Sequence, residues 1–151
     1  MTPRLLFRIV AVAELITWAG LIAALVLRAT GVTDGAVSIA GGVHGFAFLA
    51  YCAVTIFTWV DRRWSAATGL VGLAVSAVPF ATLPFDLVID RRGLLGESWR
   101  LGPGGETPRG PLERTQAAVL RRPVVSAVVA LAAIGVVFVA LLWIGPPVPR
   151  A

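Results

Sequence analysis

Glu14, His44 and Tyr51 carry an acid, an imidazole and a phenol, three side chains able to hold or pass a proton, and each lies inside a run of apolar residues. His44 is the only histidine of the chain and stands in GGVHGFAFLAYCAVTIFTWV, residues 41–60, long enough to cross a bilayer. With Ser76 and Thr82 these are the groups that cost free energy if they face lipid. His44 and Tyr51 are two helical turns apart and share one helix face. Glu14 and Tyr51 both fall about 13 Å from the side where the first span begins, and His44 about 24 Å, close to Pro79 and Phe80 at roughly 22–24 Å. Pro79 leaves the carbonyl of Val75 without its helical donor, so the expectation is that His44 supplies one and ties the second span to the third. Glu14 is expected to accept from Tyr51 or to keep a proton of its own.

Three kinds of chemistry fit such a set: a structural polar clamp, a proton- or solute-handling site, or metal or haem ligation. The last is poorly served. One histidine cannot supply two axial ligands within one chain, and one His with one Glu leaves a metal half coordinated. The lone Cys52 provides neither a disulfide nor a Cys-based metal site. No metal and no cofactor are therefore expected. The polar stretch late in the chain has no histidine, no cysteine, no glycine-rich phosphate loop and no nucleophile beside an evident base, which argues against an enzyme.

The elements that must position these groups are legible from composition. Of 151 residues, 58% are hydrophobic and 14% charged, with a mean hydropathy of +0.87, which excludes an ordinary soluble domain. A hydrocarbon core of about 30 Å needs roughly 20 apolar residues, and residues 5–27, 36–60, 65–85 and 124–144 supply them. The predicted fold is all-α: a polytopic membrane helical bundle with a three-span core at 4–90, a basic polar linker at 91–122 and a fourth transmembrane helix at 123–145. The N-terminal apolar run exceeds the 7–15 residues of a signal peptide and contains Glu14, so it reads as an uncleaved first span. ATGVTDG closes a hairpin between spans one and two.

Arg62, Arg63 and Trp64 form the next turn and are expected to anchor it at the water interface. Span three is broken by Pro79 and Pro84, with three courses open: a kink, an early stop or a fold-back. The linker contains RLGPGGETPRG, expected to be mobile, and PLERTQAAVL, expected to form a short helix. Pro123 suits the first turn of the last span, which has no charge and closes on Trp143 like a plain anchor. Gly41 and Gly45 have the GxxxG spacing that lets another helix approach, whether span one, span three or a second copy. Gly20 with Ala24, and Gly69 with Gly72, are weaker forms of that signal.

All thirteen basic residues are arginine, and the net charge is +5. They flank apolar segments instead of forming one polar surface, so they point to anionic lipid and not to nucleic acid. With four full spans and the N-terminus in the cytoplasm, Arg4, Arg8, Arg62, Arg63 and Arg150 lie inside, but the linker's seven arginines lie outside. A fold-back of span three removes that conflict, and the N-in orientation is the one preferred.

VAVAELITW, GGVHGFAFLAY, RRWS and VPFATLPFD together resemble the YdzA-like family of small integral membrane proteins, a domain of unknown function, over roughly residues 4–90. Glu14, His44, Gly45, Tyr51, Arg63, Trp64, Ser65, Pro79, Phe80 and Thr82 fit that family's pattern, whereas Ala81 stands where it has glycine. The resemblance implies a three-span core, assigns no activity and leaves residues 91–151 as an addition. The expected role is a non-enzymatic accessory or assembly component of the cell membrane that packs against a second copy or a larger membrane complex. The rival is a small oligomeric proton-coupled transporter or channel using Glu14 and His44.

Overall fold

A computed structural model describes residues 1–144; Gly145 of the last span and Arg150 lie outside the described residues. The chain is a bundle of helices, with no strand among the described residues. Three helices are long and apolar enough to cross a membrane: α1 (Pro3–Ala29), α2 (Gly35–Arg62) and α6 (Pro123–Ile144). Between α2 and α6 come α3 (Ala66–Ala74), a 3₁₀ turn (Val75–Ala77), α4 (Thr82–Arg91) and α5 (Pro111–Arg121).

Local chemistry sets these boundaries. Thr2 caps α1 by accepting from the Leu5 amide at 3.2 Å, with Pro3 in the first turn, where its missing donor costs nothing. At the other end Thr30 closes the helix, its hydroxyl donating to the carbonyl of Val26 at 3.0 Å, and Gly31 takes the positive φ of +74° that turns the chain. Arg63 ends α2 in the left-handed conformation, and Ser65 caps α3 by accepting from the Thr68 amide at 3.2 Å.

The segment read as a third span does not cross. From Trp64 the chain enters the bundle as α3, tightens into the 3₁₀ turn, reverses at Pro79–Phe80 and returns as α4 to the end it left. The Trp64 indole donates to the carbonyl of Leu94 at 2.9 Å, which places both ends of this re-entrant hairpin side by side. Fold-back is thus the course taken. Phe80 makes the reversal with φ +63°, a conformation that costs a non-glycine residue about 1–2 kcal/mol. Ala81 has ordinary helical angles, φ −80° and ψ −18°, so the absence of glycine there carries no strain. Pro84 sits in the first turn of α4, where proline is tolerated.

Close packing is concentrated where the hairpin meets α1 and α2. Phe7, Tyr51, Trp64, Ile89 and Leu95 form the apolar core, with Phe7 edge-on to Tyr51 at 5.6 Å and to Trp64 at 5.8 Å. Trp64, expected at the interface, is a buried core residue. Helix α6 stands apart, with no buried residue. The GxxxG pair divides between two neighbours: Gly41 faces Leu21 of α1, one of the partners expected, whereas Gly45, with Gly42, lies against the Phe138 ring of α6, a neighbour the sequence reading did not consider. Closer contacts hold the hairpin: a Cβ at Gly69 would run into the Trp59 ring, and one at Gly72 would lie 3.0 Å from Thr55 and 3.1 Å from Phe85.

Candidate functional site

Two polar layers cross the core, and α1 contributes to both. The outer layer is a ladder. Arg4 and Arg8, one turn apart on α1, face Asp86 and Asp90, one turn apart on the antiparallel α4. Arg8 pairs with Asp86 through Nε and reaches Asp90 at 3.2 Å, Arg4 meets Asp90 at 2.6 Å, and Arg4 also pairs with Glu97. Asp86 is fully buried, so its pairing to Arg8 is a condition of its being there. The sequence reading missed this ladder, although its signal is plain: two i, i+4 pairs of opposite charge at the ends of apolar helices.

The inner layer holds Glu14, Thr82, Thr17 and His44. Glu14 and Thr82 are both fully buried, and the Thr82 hydroxyl lies 3.0 Å from Glu14 Oε2 and 3.1 Å from the carbonyl oxygen of Ala11. A hydroxyl has one proton to give. Both contacts are satisfied when Glu14 is protonated, donating to Thr82, which then donates to Ala11. The expected partner, Tyr51, makes no hydrogen bond through its hydroxyl among the described residues and packs on Phe7 instead.

His44 is buried, but it does not reach the broken part of the hairpin. Its Nδ1 lies 3.2 Å from the Thr17 hydroxyl, which in turn donates to the carbonyl of Glu14 at 2.9 Å. With the Thr17 proton given to the Glu14 carbonyl, the tautomer that completes the chain is the one with Nδ1–H donating to Thr17. The Val75 carbonyl that His44 was expected to satisfy accepts from the Val78 amide within the 3₁₀ turn, at 3.1 Å. The hairpin is held by Trp18, whose indole donates to the Ser76 carbonyl at 3.3 Å and whose ring lies 4.4 Å from that of His44. Thus His44 joins α2 to α1, and Trp18 joins α1 to the hairpin. Sequence reasoning passed over Trp18 as one more aromatic in an apolar run, because its polar use depends on where the hairpin breaks. Thr55 and Thr58, also fully buried, line the same side of α2 as Tyr51, with hydroxyls that have no partner among the described residues.

The linker is docked over the end of α2, including the stretch 100–110 expected to be mobile, and PLERTQAAVL forms the short helix α5. Buried Asp61 accepts from the amides of Arg100 and Leu101, each at 3.1 Å. The Arg100 guanidinium donates to the carbonyls of Val60, at 3.3 Å, and Asp61, capping the negative end of the helix dipole. Glu113, in the first turn of α5, ties this cap to its surroundings: it pairs with Arg100 at 2.8 Å and Arg63 at 3.2 Å and accepts from the Arg109 amide at 2.7 Å. The Arg109 N–H, then Arg100, hold the Glu113 carboxyl down at about 2. Gln116 donates to the Phe57 carbonyl at 2.6 Å, fixing α5 on α2. Arg63 is thus an ion-pair partner of this cap, and Arg62 lines a cleft beside it.

The fold-back changes the charge map. Both ends of the hairpin, the docked segment and the N-terminus of α1 share one face, and α6 leaves from it. Phe138 is 15 residues into α6, about 22 Å along its axis, where it meets the distal part of α2. Arg4, Arg8, Arg62, Arg63, Arg91, Arg92, Arg100, Arg109, Arg114, Arg121 and Arg122 all belong to this face, while Arg28 lies at the opposite one. Among the described residues, no three His, Cys, Asp or Glu side chains converge in a way that could hold a metal.

Long apolar helices, a re-entrant hairpin and polar side chains turned toward one another define a multi-pass integral membrane protein of the all-helical class. The chain belongs to the family described as "Domain of unknown function (DUF3817)", which matches residues 5–91, the two full spans and the hairpin. The match does not carry the YdzA-like name, though it covers nearly the same residues. A Streptomyces coelicolor protein named "Putative membrane protein SCO5905" is 35% identical over 98 residues. That alignment covers 62% of this chain and only 12% of the relative, so the chain spans a small part of the relative's length. No solved structure matches the chain.

Proposed function

We propose that the protein is a non-enzymatic accessory or assembly component of the plasma membrane, acting through helix packing, with its arginine-rich face in the cytoplasm. The observation that carries this reading is α6. It is a full-length apolar helix with no buried residue, attached to the rest of the chain by α5 and by Phe138 against two glycines of α2, so most of its surface is left to lipid or a partner. Its partner is a second copy of the chain or a larger membrane complex. The orientation follows from the arginine distribution, because arginine-rich short segments are retained on the cytoplasmic side. A photoreactive side chain placed at Val136 in intact cells is expected to give a discrete adduct with a second copy or another membrane protein. Adducts with lipid alone would overturn the reading.

A second reading, a proton-coupled carrier, draws on the buried polar atoms left without a hydrogen-bond partner: Glu14 Oε1, the Tyr51 hydroxyl and Asp86 Oδ1. These lie between the arginine ladder and the middle of the bundle. A pH-dependent flux in reconstituted vesicles that is lost in Glu14→Gln would favour the carrier. Flux no greater than that of empty vesicles would exclude it.

A further inference from the structure

Several arginines of the cytoplasm-assigned face take part in no ion pair among the described residues, and of these Arg62 is half-buried while the others are exposed. Arg62, at the last position of α2, has a buried Nε with no acceptor among those residues. Its neighbours Arg63 and Arg100 are both neutralised by Glu106 and Glu113. Burying a guanidinium N–H with no acceptor is costly, and the rest of the group lines a cleft where an acceptor other than this chain's carboxylates can reach it.

The surroundings are built. Arg62 lines a cleft of about 520 Å³ with Ser98, Trp99, Arg100, Gly105 and Glu106. The loop is pressed against the guanidinium at Gly96, which has φ +69° and where a Cβ would lie 2.6 Å from the Arg62 Cζ, so no other residue fits without moving the arginine. Gly105 is packed as tightly on the carbonyl of Arg100. Trp99 is fixed by its indole donating to the Met1 carbonyl at 2.9 Å and by its ring edge-on to Phe57 at 5.2 Å. The one carboxylate in the cleft, Glu106, is engaged by Arg100 at 3.2 Å and Arg63 at 3.5 Å, which leaves the positive charge of Arg62 uncancelled.

We propose that this cleft binds a phosphate group at the arginine-rich membrane face, with the Arg62 guanidinium as its principal ligand and the Ser98 hydroxyl within the same cleft as a second donor. A guanidinium presents a planar fork of donors matched to phosphate oxygens. The site lies at headgroup depth, where the phosphate belongs either to an anionic phospholipid or to a soluble molecule from the cytoplasm.

The test uses the full chain in a zwitterionic detergent, titrated separately with dihexanoyl phosphatidylglycerol and inorganic phosphate. Thermal midpoint and bound probe are the readouts. At least one probe should bind and raise the midpoint, with Arg62→Gln weakening binding about tenfold or more. Arg92→Gln, an exposed arginine of the same face outside the cleft, should change binding less than about twofold. Binding of the lipid alone assigns a headgroup, binding of inorganic phosphate alone assigns a soluble ligand, and either supports the site. Neither probe binding, equal binding by wild type and Arg62→Gln, or equal loss in Arg92→Gln would overturn it. Should Arg62→Gln fail to fold, amide exchange over residues 96–106 of the unaltered chain decides: slowing by either probe supports the cleft, and no change by both rejects it.

Discussion

Helices α1 and α6 are both long and apolar enough to cross a membrane, and the structure treats them in opposite ways. Helix α1 carries Arg4, Arg8, Glu14, Thr17 and Trp18, each bonded to another element. Helix α6 carries a single hydroxyl, Ser126, which donates to the Val119 carbonyl just before the helix, and it rests on α2 where Phe138 meets Gly42, Gly45 and the Phe46 ring. In lipid, apolar side chains gain little by touching one another, because the acyl chains are as apolar as leucine. Order in the bundle is therefore set by polar contacts and by close backbone approach. Where α1 has both, it is fixed on two sides, and where α6 has little of either, it stays on the rim.

The largest test of this contrast is the arginine ladder. Asp86→Ala empties a buried site and leaves Arg8 with Asp90 as its remaining partner, and it should destabilise the chain by about 2 kcal/mol, read as a lowered unfolding midpoint in detergent. A loss of under about 1 kcal/mol would show that the ladder is incidental. Next comes backbone approach: Gly69→Val should cost about 1–3 kcal/mol by forcing the Trp59 ring away from α3, while Gly20→Val, with nothing near its Cβ, should be silent.

The inner layer gives a subtler effect. If Glu14 is the protonated donor to Thr82, Glu14→Gln keeps a donor and should stay within about 0.5 kcal/mol of wild type, whereas Glu14→Leu should lose roughly 1–2 kcal/mol. Equal stability of the two variants would break the hydrogen-bond assignment. For α6, Phe138→Ala should leave the midpoint of the core nearly unchanged, by about 1 kcal/mol or less, and yet raise the accessibility of Gly45 backbone and Phe46 to a lipid-soluble label. A collapse of the core on that change would refute the separation of the two regions.

The docked cap supplies the smallest and most local effect, through pH. The Glu113 carboxyl titrates lower in the folded chain than in the unfolded one, so its contribution is complete above the ordinary carboxylate value of 4.5 and is lost as pH falls toward about 2. Amide exchange in residues 96–110, corrected for its intrinsic pH dependence, should be flat from pH 7 to 5 and rise below about 4.5. In Glu113→Gln that acid-side rise should vanish.

Much of this molecule follows from one-dimensional facts. Runs of apolar residues long enough for a bilayer, interrupted by few charges, dictate membrane helices because unpaired backbone groups are too costly in lipid. Pro79 and Pro84 mark a break in the same way, by removing donors. That Glu14, His44 and Thr82 turn inward is legible too, since the alternative is lipid. The partners they meet are not. Glu14 met Thr82 and not Tyr51, and His44 met Thr17 and not the hairpin, because axial depth is readable from residue number while rotation about a helix axis is set by packing. Only the tertiary structure decided that the third apolar segment returns to its starting face. That reversal, made by Phe80 in the left-handed region, brought Asp86 and Asp90 to Arg8 and Arg4 and gathered eleven arginines on one side of the membrane. Sequence determined which side chains are too polar for lipid; the path of the backbone through three dimensions determined which of them could neutralise each other.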